Sequence, residues 1–374
     1  MNRKGLTKGA AGALLGALLA VCSAEPSYFM KNAMQDTANP RVATFCMGRF
    51  LIDVPEGSSL IGGSYKYGFF QVERVVFQTF EEFEKNVDAK EKELRAMKHE
   101  KESSLLRKVT RPEIGARVMA FRKQDFTTRM VKVEGYRWVD GASVLLDIDA
   151  STEKQGVAMA AVARYLSSFR PRLEIEIPNE PGYCFKSGFI ASEDWENEEA
   201  GVDIDLPDHP DVVLSIDIFP LASHKHDTPL LDRVGGVLQG LGNLASGVQV
   251  LRKGERQIGP YKGQEYLVST PGSGGSRAHS FIWETQGEGT LDTPFISIEF
   301  SSGRQDANGN PQPTRLTNAQ ALQLWDRIVS SFRLRPTGGT ATTSDARPPR
   351  TPLGTELVTG RSCPQAGWWE CDEA

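Results

Sequence analysis

Four stretches of the chain carry side chains that could do chemistry. His224-Lys225-His226-Asp227 presents two imidazoles and a carboxylate, donor types that a transition metal takes. The tract stands alone on a loop expected to precede a helix, and a surface loop accounts for it better than a metal centre. Gly272-Ser273-Gly274-Gly275-Ser276 sets hydroxyls among glycines, but it is not G-x-S-x-G, and no Lys-Ser/Thr follows as a phosphate loop requires. Asp147-Ile148-Asp149 and Asp203-Ile204-Asp205 look like paired carboxylates. Alternation along a strand puts both members of each pair on one face, the wetted side of a sheet. No nucleophile with a base, metal cluster or cofactor motif emerges, so the sequence predicts no enzyme, no cofactor and no metal. A hydrolase would have to rest on His224, His226 and scattered acids.

The five cysteines are more informative. Residues 1–24 read as an export leader: Arg3, Lys4 and Lys8 precede a short apolar run from Ala10 to Val21. Cys22-Ser23-Ala24 fits signal peptidase cleavage before Glu25. Leu19-Ala20-Val21-Cys22 offers a second route, a bacterial lipoprotein box that would leave Cys22 acylated as a membrane tether, although Val21 is bulky for that site. Cys46, Cys184, Cys363 and Cys371 remain, an even number in an exported chain, which predicts disulfides and places the protein in the periplasm. Four cysteines allow three pairings. Cys363 and Cys371 flank Pro364 and Gly367 at a spacing that a tight turn closes, which leaves Cys46 and Cys184 by elimination.

The elements around them form a duplication. Phe45-Cys46-Met47-Gly48-Arg49-Phe50-Leu51-Ile52 recurs loosely, 138 residues on, as Tyr183-Cys184-Phe185-Lys186-Ser187-Gly188-Phe189-Ile190. Ser167-Ser168-Phe169-Arg170-Pro171-Arg172 recurs, 163 residues on, as Ser330-Ser331-Phe332-Arg333-Leu334-Arg335. Two echoes in the same order argue for two homologous units, the second carrying insertions at Thr270–Ser276 and Ser302–Thr314. In the first unit, strands are expected at 50–54, 68–78, 116–122, 127–138 and 143–150, with helices at 79–108 and 152–168. In the second, strands fall at 201–206, 212–219 and across 255–300, with helices at 228–245 and 317–331. The charged face of the first long helix, Glu81 through Glu102, reads as solvated. Strands grouped between helices favour an α+β fold: two homologous domains, each a mainly antiparallel sheet covered by two helices. Their expected bounds are 41–177 and 181–336, followed by a flexible tether at 337–354 and a cystine-closed tip at 355–374.

Composition agrees with this and narrows the function. At roughly 100–200 residues per domain, 374 residues make two. With Lys+Arg 43 against Asp+Glu 48, the net charge of -5 argues against nucleic-acid binding. Loss of the three leader cations takes the balance to 40 against 48, a net charge of -8.

Cys46-Met47-Gly48-Arg49-Phe50-Leu51-Ile52-Asp53-Val54-Pro55 resembles the opening of bacterial type VI secretion lipase-immunity proteins, a Cys-x-Gly-Arg-Phe/Tyr-x-x-Asp-x-Pro motif. Tyr183-Cys184-Phe185 and the ending Cys363-Pro364-Gln365-Ala366-Gly367-Trp368-Trp369-Glu370-Cys371 look like that family as well. The resemblance implies a two-domain periplasmic immunity protein that binds a Tle-type phospholipase effector delivered by sister cells. It would block that effector without catalysis of its own, as a clamp over the lid and entrance. The alternative is a periplasmic or lipoprotein binding module for a cell-envelope ligand, which an aromatic-lined pocket would favour. Immunity interfaces use charge complementarity and a few aromatic anchors. Trp195 stands in an acidic run with Asp194, Glu196 and Glu198, and these four are the expected effector contacts; the two insertion loops are further candidates.

Overall fold

In the computed structural model the described residues are 41–220, 228–234, 247–271, 277–291, 293–303 and 313–338. The leader with Cys22, the 224–227 tract, the 272–276 loop, most of 302–314, nearly all of the tether, and Cys363 with Cys371 lie outside them.

The first half opens with a hairpin, β1 (Val42–Met47) and β2 (Phe50–Pro55), followed by β3 (Ser59–Tyr67), β4 (Phe70–Val72) and β5 (Val76–Phe77). Where one strand is expected over 68–78, Gly68 and Phe69 both take positive φ, 58° and 70°. They form the tight turn that joins β3 to β4, because only that backbone twist matches the flanking strands. Thr79 and Glu82 then close a reciprocal capping box at the start of α1 (Phe80–Ala96). The helix ends about a dozen residues before its expected limit: Met97 is extended, and Leu106–Thr110 is the strand β6. β7 (Ala116–Phe121), β8 (Met130–Val139), β9 (Ala142–Ser151), α2 (Gln155–Ser167) and β10 (Phe169–Pro171) complete the half.

The two helices cover opposite faces of this sheet. α1 sets Phe83, Val87 and Leu94 against Met119 and Phe121. α2 packs Val162 and Leu166 on the other face, and Gly135 in β8 lets it approach: a Cβ there would lie 2.6 Å from Val162 Cγ2. The charged face of α1 is not wholly solvated. The buried Arg117 guanidinium pairs with Glu84, Asp88 and Glu91 and pins the helix to β7.

The second half repeats the plan with β11 (Gly182–Phe185), β12 (Gly188–Ala191), β13 (Glu198–Leu206), β14 (His209–Phe219), β15 (Gln249–Ile258), β16 (Tyr261–Pro271), β17 (Arg277–Thr285), β18 (Phe295–Ser302), α3 (Asn318–Val329) and β19 (Arg333–Leu334). α3 buries Trp325 beneath Phe281, while the helical residues Leu230–Val234 pack on the opposite face against Tyr266 and Val268.

The fold is α+β with antiparallel sheets, as expected, and the halves are also continuous. β3 pairs antiparallel with β13, which joins both sheets into one of thirteen strands. The hairpins exchange partners as well. β19, at the end of the second half, pairs with β2 at the start of the first, while β10, ending the first half, pairs with β12 of the second. One apolar core runs through both halves, from Phe45 and Tyr67 to Trp283 and Trp325.

The exchanged hairpins meet at a disulfide. Cys46 and Cys184 are bonded, with Cα atoms 5.7 Å apart and 138 residues between them, the spacing of the sequence echo. The bridge therefore links equivalent positions of the duplicated units. Beside it, Gly48 N donates to Cys184 O at 2.7 Å and Cys184 N to Gly48 O at 2.8 Å. The Ser-Ser-Phe-Arg-x-Arg arginines supply the rest of this hub. Arg172 donates to the carbonyls of Cys46, Phe185, Gly188, Leu173, Glu174 and Glu176. Arg335 donates to those of Pro178, Glu180 and Gly182, and burial with Arg49 nearby pushes its pKa down to about 10.

Candidate functional site

The acidic tryptophan loop is anchored to the hub by one arginine. Arg49, in the turn between β1 and β2, is 5% exposed and lies with its guanidinium carbon 4.6 Å from the Trp195 ring centroid. Its Nη2 donates to Asp194 O at 2.9 Å and to Glu198 Oε1 at 2.7 Å, and its Nε reaches Glu198 Oε2 at 2.8 Å. This fork matches a planar guanidinium to a carboxylate and clamps an aromatic face at the same time. Burial pushes the Glu198 carboxyl up, and the Arg49 charge opposes that shift.

The four expected contact residues fall into different environments. Asp194 is exposed and Trp195 half-buried. Glu196 accepts from Arg164 of α2 at 2.7 Å. Glu198 is 7% exposed and committed to Arg49, so it acts as the root of the loop and its carboxylate is not at the surface. The structure brings Asp194, Trp195 and Glu198 together on Arg49, which composition and periodicity did not single out as a site residue. Its signal lay in the opening motif: a charged residue inside an otherwise apolar hairpin needs a buried counter-charge.

Three of the carboxylates read from the sequence as pairs are tied up in the fold. Asp147 pairs with Lys132 and Asp149 with Lys123, both at 2.5 Å, and Asp203 accepts from Ser215 Oγ at 2.6 Å. A serine–histidine pair that sequence spacing did not reveal lies between β17 and β18: Ser302 Oγ is 2.9 Å from His279 Nδ1, and His279 Nε2 is 3.0 Å from Asn318 Oδ1. Asn318 Oδ1 can only accept, so Nε2 carries the ring proton and Nδ1 accepts from the Ser302 hydroxyl, whose oxygen also accepts from the His279 backbone N–H. Both residues are buried, at 2% and 6% exposure, and burial pushes the imidazole pKa down, so the pair sits closed within the sheet.

A cavity of about 10 Å³ lies between Arg49, Tyr183, Trp195, Leu291 and Pro294, room for roughly one water. A larger groove of about 410 Å³ runs along Tyr261, Lys262, Gln264, Glu284 and Glu288, open to solvent and half polar. Among the described residues no group of three or more His, Cys, Asp or Glu side chains could hold a metal ion, and no helix is long and apolar enough to cross a membrane.

Two like halves are thus locked at a hub, with an anchored aromatic loop beside it. The N-terminal domain of the Tle cognate immunity protein 4 family matches residues 43–161 and its C-terminal domain residues 176–337, and the chain belongs to that family. It is similar to the apo immunity protein TplEi of the type VI secretion system (T6SS) of Pseudomonas aeruginosa, with a TM-score of 0.70 and 26% identity over 79% of this chain and 98% of that one. A second similar structure is the Tle4-Tli4 complex, with a TM-score of 0.70 and 27% identity over 79% and 98%. A third is TplEi complexed with an "L" peptide, with a TM-score of 0.65 and 26% identity over 79% and 99%. No curated protein matches the chain.

Proposed function

We propose that the protein is a periplasmic immunity protein that binds its cognate Tle phospholipase, delivered by the type VI secretion system, and silences it by occlusion without catalysis of its own. Membership of the Tle cognate immunity protein 4 family carries the reading, and the similar Tle4-Tli4 structure is a complex of the two kinds of protein. The buried Cys46–Cys184 bridge suits an oxidising compartment, and the 1–24 leader would deliver the chain there, as a soluble protein or tethered through an acylated Cys22.

The Trp195 loop is the proposed contact patch. Arg49 stacks on the ring and grips Asp194 O, so the loop is ordered before binding and loses little entropy on contact. Asp194 and the half-buried Trp195 ring would meet the lipase, Glu196 would do so in exchange for Arg164, and Glu198 would hold the loop from below. Co-elution of the chain with its cognate lipase on gel filtration tests the reading. Trp195→Ala should keep the fold and weaken the complex about tenfold or more, the scale of an interface anchor. Unchanged affinity would remove the loop from the interface, and no complex with the unaltered chain would overturn the function.

A further inference from the structure

One strand edge of the joined sheet is left open where its counterpart in the other half is filled. β13 is flanked on both sides: β3 pairs with it from Glu198 to Asp205, and β14 pairs with it from Ala200 to Leu206. β3 occupies the equivalent place in the first half, but its outer neighbour β4 is short and reaches only Tyr65, Lys66 and Tyr67. From Ser59 to Ser64 no described strand pairs with β3 on that side, because the chain parts from it after Val72 and runs along β9 into β5. Ser59, Ile61, Gly63 and Ser64 are exposed residues, Ile61 to 46%. Lys186 Nζ caps Leu60 O at 2.6 Å and marks one end of the gap.

Ladder alternation says which groups are free. The tight turn at Gly68 and Phe69 makes Tyr67 and Phe70 a hydrogen-bonded pair, so Tyr67 and Tyr65 direct their N–H and C=O groups toward β4. Two residues further back, Gly63 points the same way and pairs with no described strand, whereas Gly62 and Ser64 turn toward β13. The chemistry of an occupant follows. Gly63 has no side chain because the Tyr65 ring lies over it, where a Cβ would come within 2.6 Å. On the opposite face Asp203 Oδ2 would be 3.1 Å from a Cβ at Gly62, which sets a carboxylate beside the slot.

We propose that the Ile61–Ser64 edge of β3 accepts an extended segment of the cognate lipase as an added strand, in the fork where β4 and β5 part from β3. The segment would bond to Gly63 N–H and C=O, and a Lys or Arg on its outward face would meet Asp203. This rests on the function proposed above and names how the partner engages. Addition of a strand to an open edge lets backbone hydrogen bonds supply affinity while side chains on alternate faces supply selectivity. It would also cover an edge that otherwise invites unwanted pairing.

Residue-resolved amide exchange of the full chain, alone and saturated with its cognate lipase, tests this. Gly63 N–H should slow at least about tenfold in the complex, while Gly62 and Ser64, already bonded to β13, should change little. A complex that forms with Gly63 exchange unaltered overturns the strand addition and leaves the immunity function standing; failure to form any complex overturns both. As a second measurement, Ile61→Asp should weaken lipase binding about tenfold with its melting temperature unchanged, and wild-type affinity in that variant would count against the slot.

Discussion

The two halves of this protein descend from one plan and put it to different uses. In both, an opening hairpin carries a cysteine, a closing Ser-Ser-Phe-Arg-x-Arg segment supplies a buried arginine, and each segment pairs with the opening hairpin of the other half. The differences lie at the margins of that shared core. The arginine of the first half reaches six carbonyls and its counterpart three. Position 49 is an arginine that grips the tryptophan loop, while its equivalent 138 residues on is Ser187, which bonds Glu174. β13 is fully flanked and β3 is not. Residues facing the shared hub are held by the fold, whereas the differences between the halves mark where the surface is free to specialise.

The largest test of the shared hub is its disulfide. Closing a loop of this length restricts the unfolded chain by roughly 5 kcal/mol. Cys46→Ser with Cys184→Ser should lower the unfolding free energy by about 3–5 kcal/mol in denaturant titrations under non-reducing conditions. Loss of less than about 1 kcal/mol would mean that the arginines alone hold the hairpins together. The next test sharpens the asymmetry between those arginines. Arg172→Met removes the donor that ties six carbonyls together and should cost about 3–4 kcal/mol, against about 2 kcal/mol for Arg335→Met. Equal losses in thermal unfolding would contradict the account of the hub as unequal.

The smallest effect concerns the outer face of the second half. Burial and the neighbouring Asp203 push the Asp217 carboxyl up, and burial with Asp217 pushes Glu299 up. A carboxylate whose pKa is raised on folding favours the folded state fully below its unfolded pKa, about 4, and loses that contribution as pH rises through the raised folded value. Asp217→Asn should therefore raise the melting point at pH 7 by an amount equivalent to about 0.5–1 kcal/mol, and the gain should shrink toward pH 4. A gain that grows on acidification would reverse the sign and break this description of the face.

Much of the frame was legible in the sequence because duplication leaves a mark in it. Two echoes located the hairpins and arginines of the hub, and alternation located most of the long strands. β3 was missed because Gly62-Gly63 and its polar neighbours dilute the period-two signal, and its β-structure comes from pairing with β13. α1 was drawn too long because the apolar spacing continues through Leu105, which belongs to the approach to β6. The edge-to-edge joining of the sheets and the exchange of hairpin partners are tertiary facts with no local signature. In the tryptophan loop the residue types were visible in the sequence. Which carboxylate would be buried was set by Arg49, 149 residues from Glu198.

The account turns on one claim, that this chain silences its cognate lipase by binding it. Phospholipase activity measured while the purified lipase is titrated with the full, oxidised chain tests it most directly. Activity should fall in proportion to added chain and vanish near equimolar ratio. Full activity in the presence of a large molar excess would contradict the account.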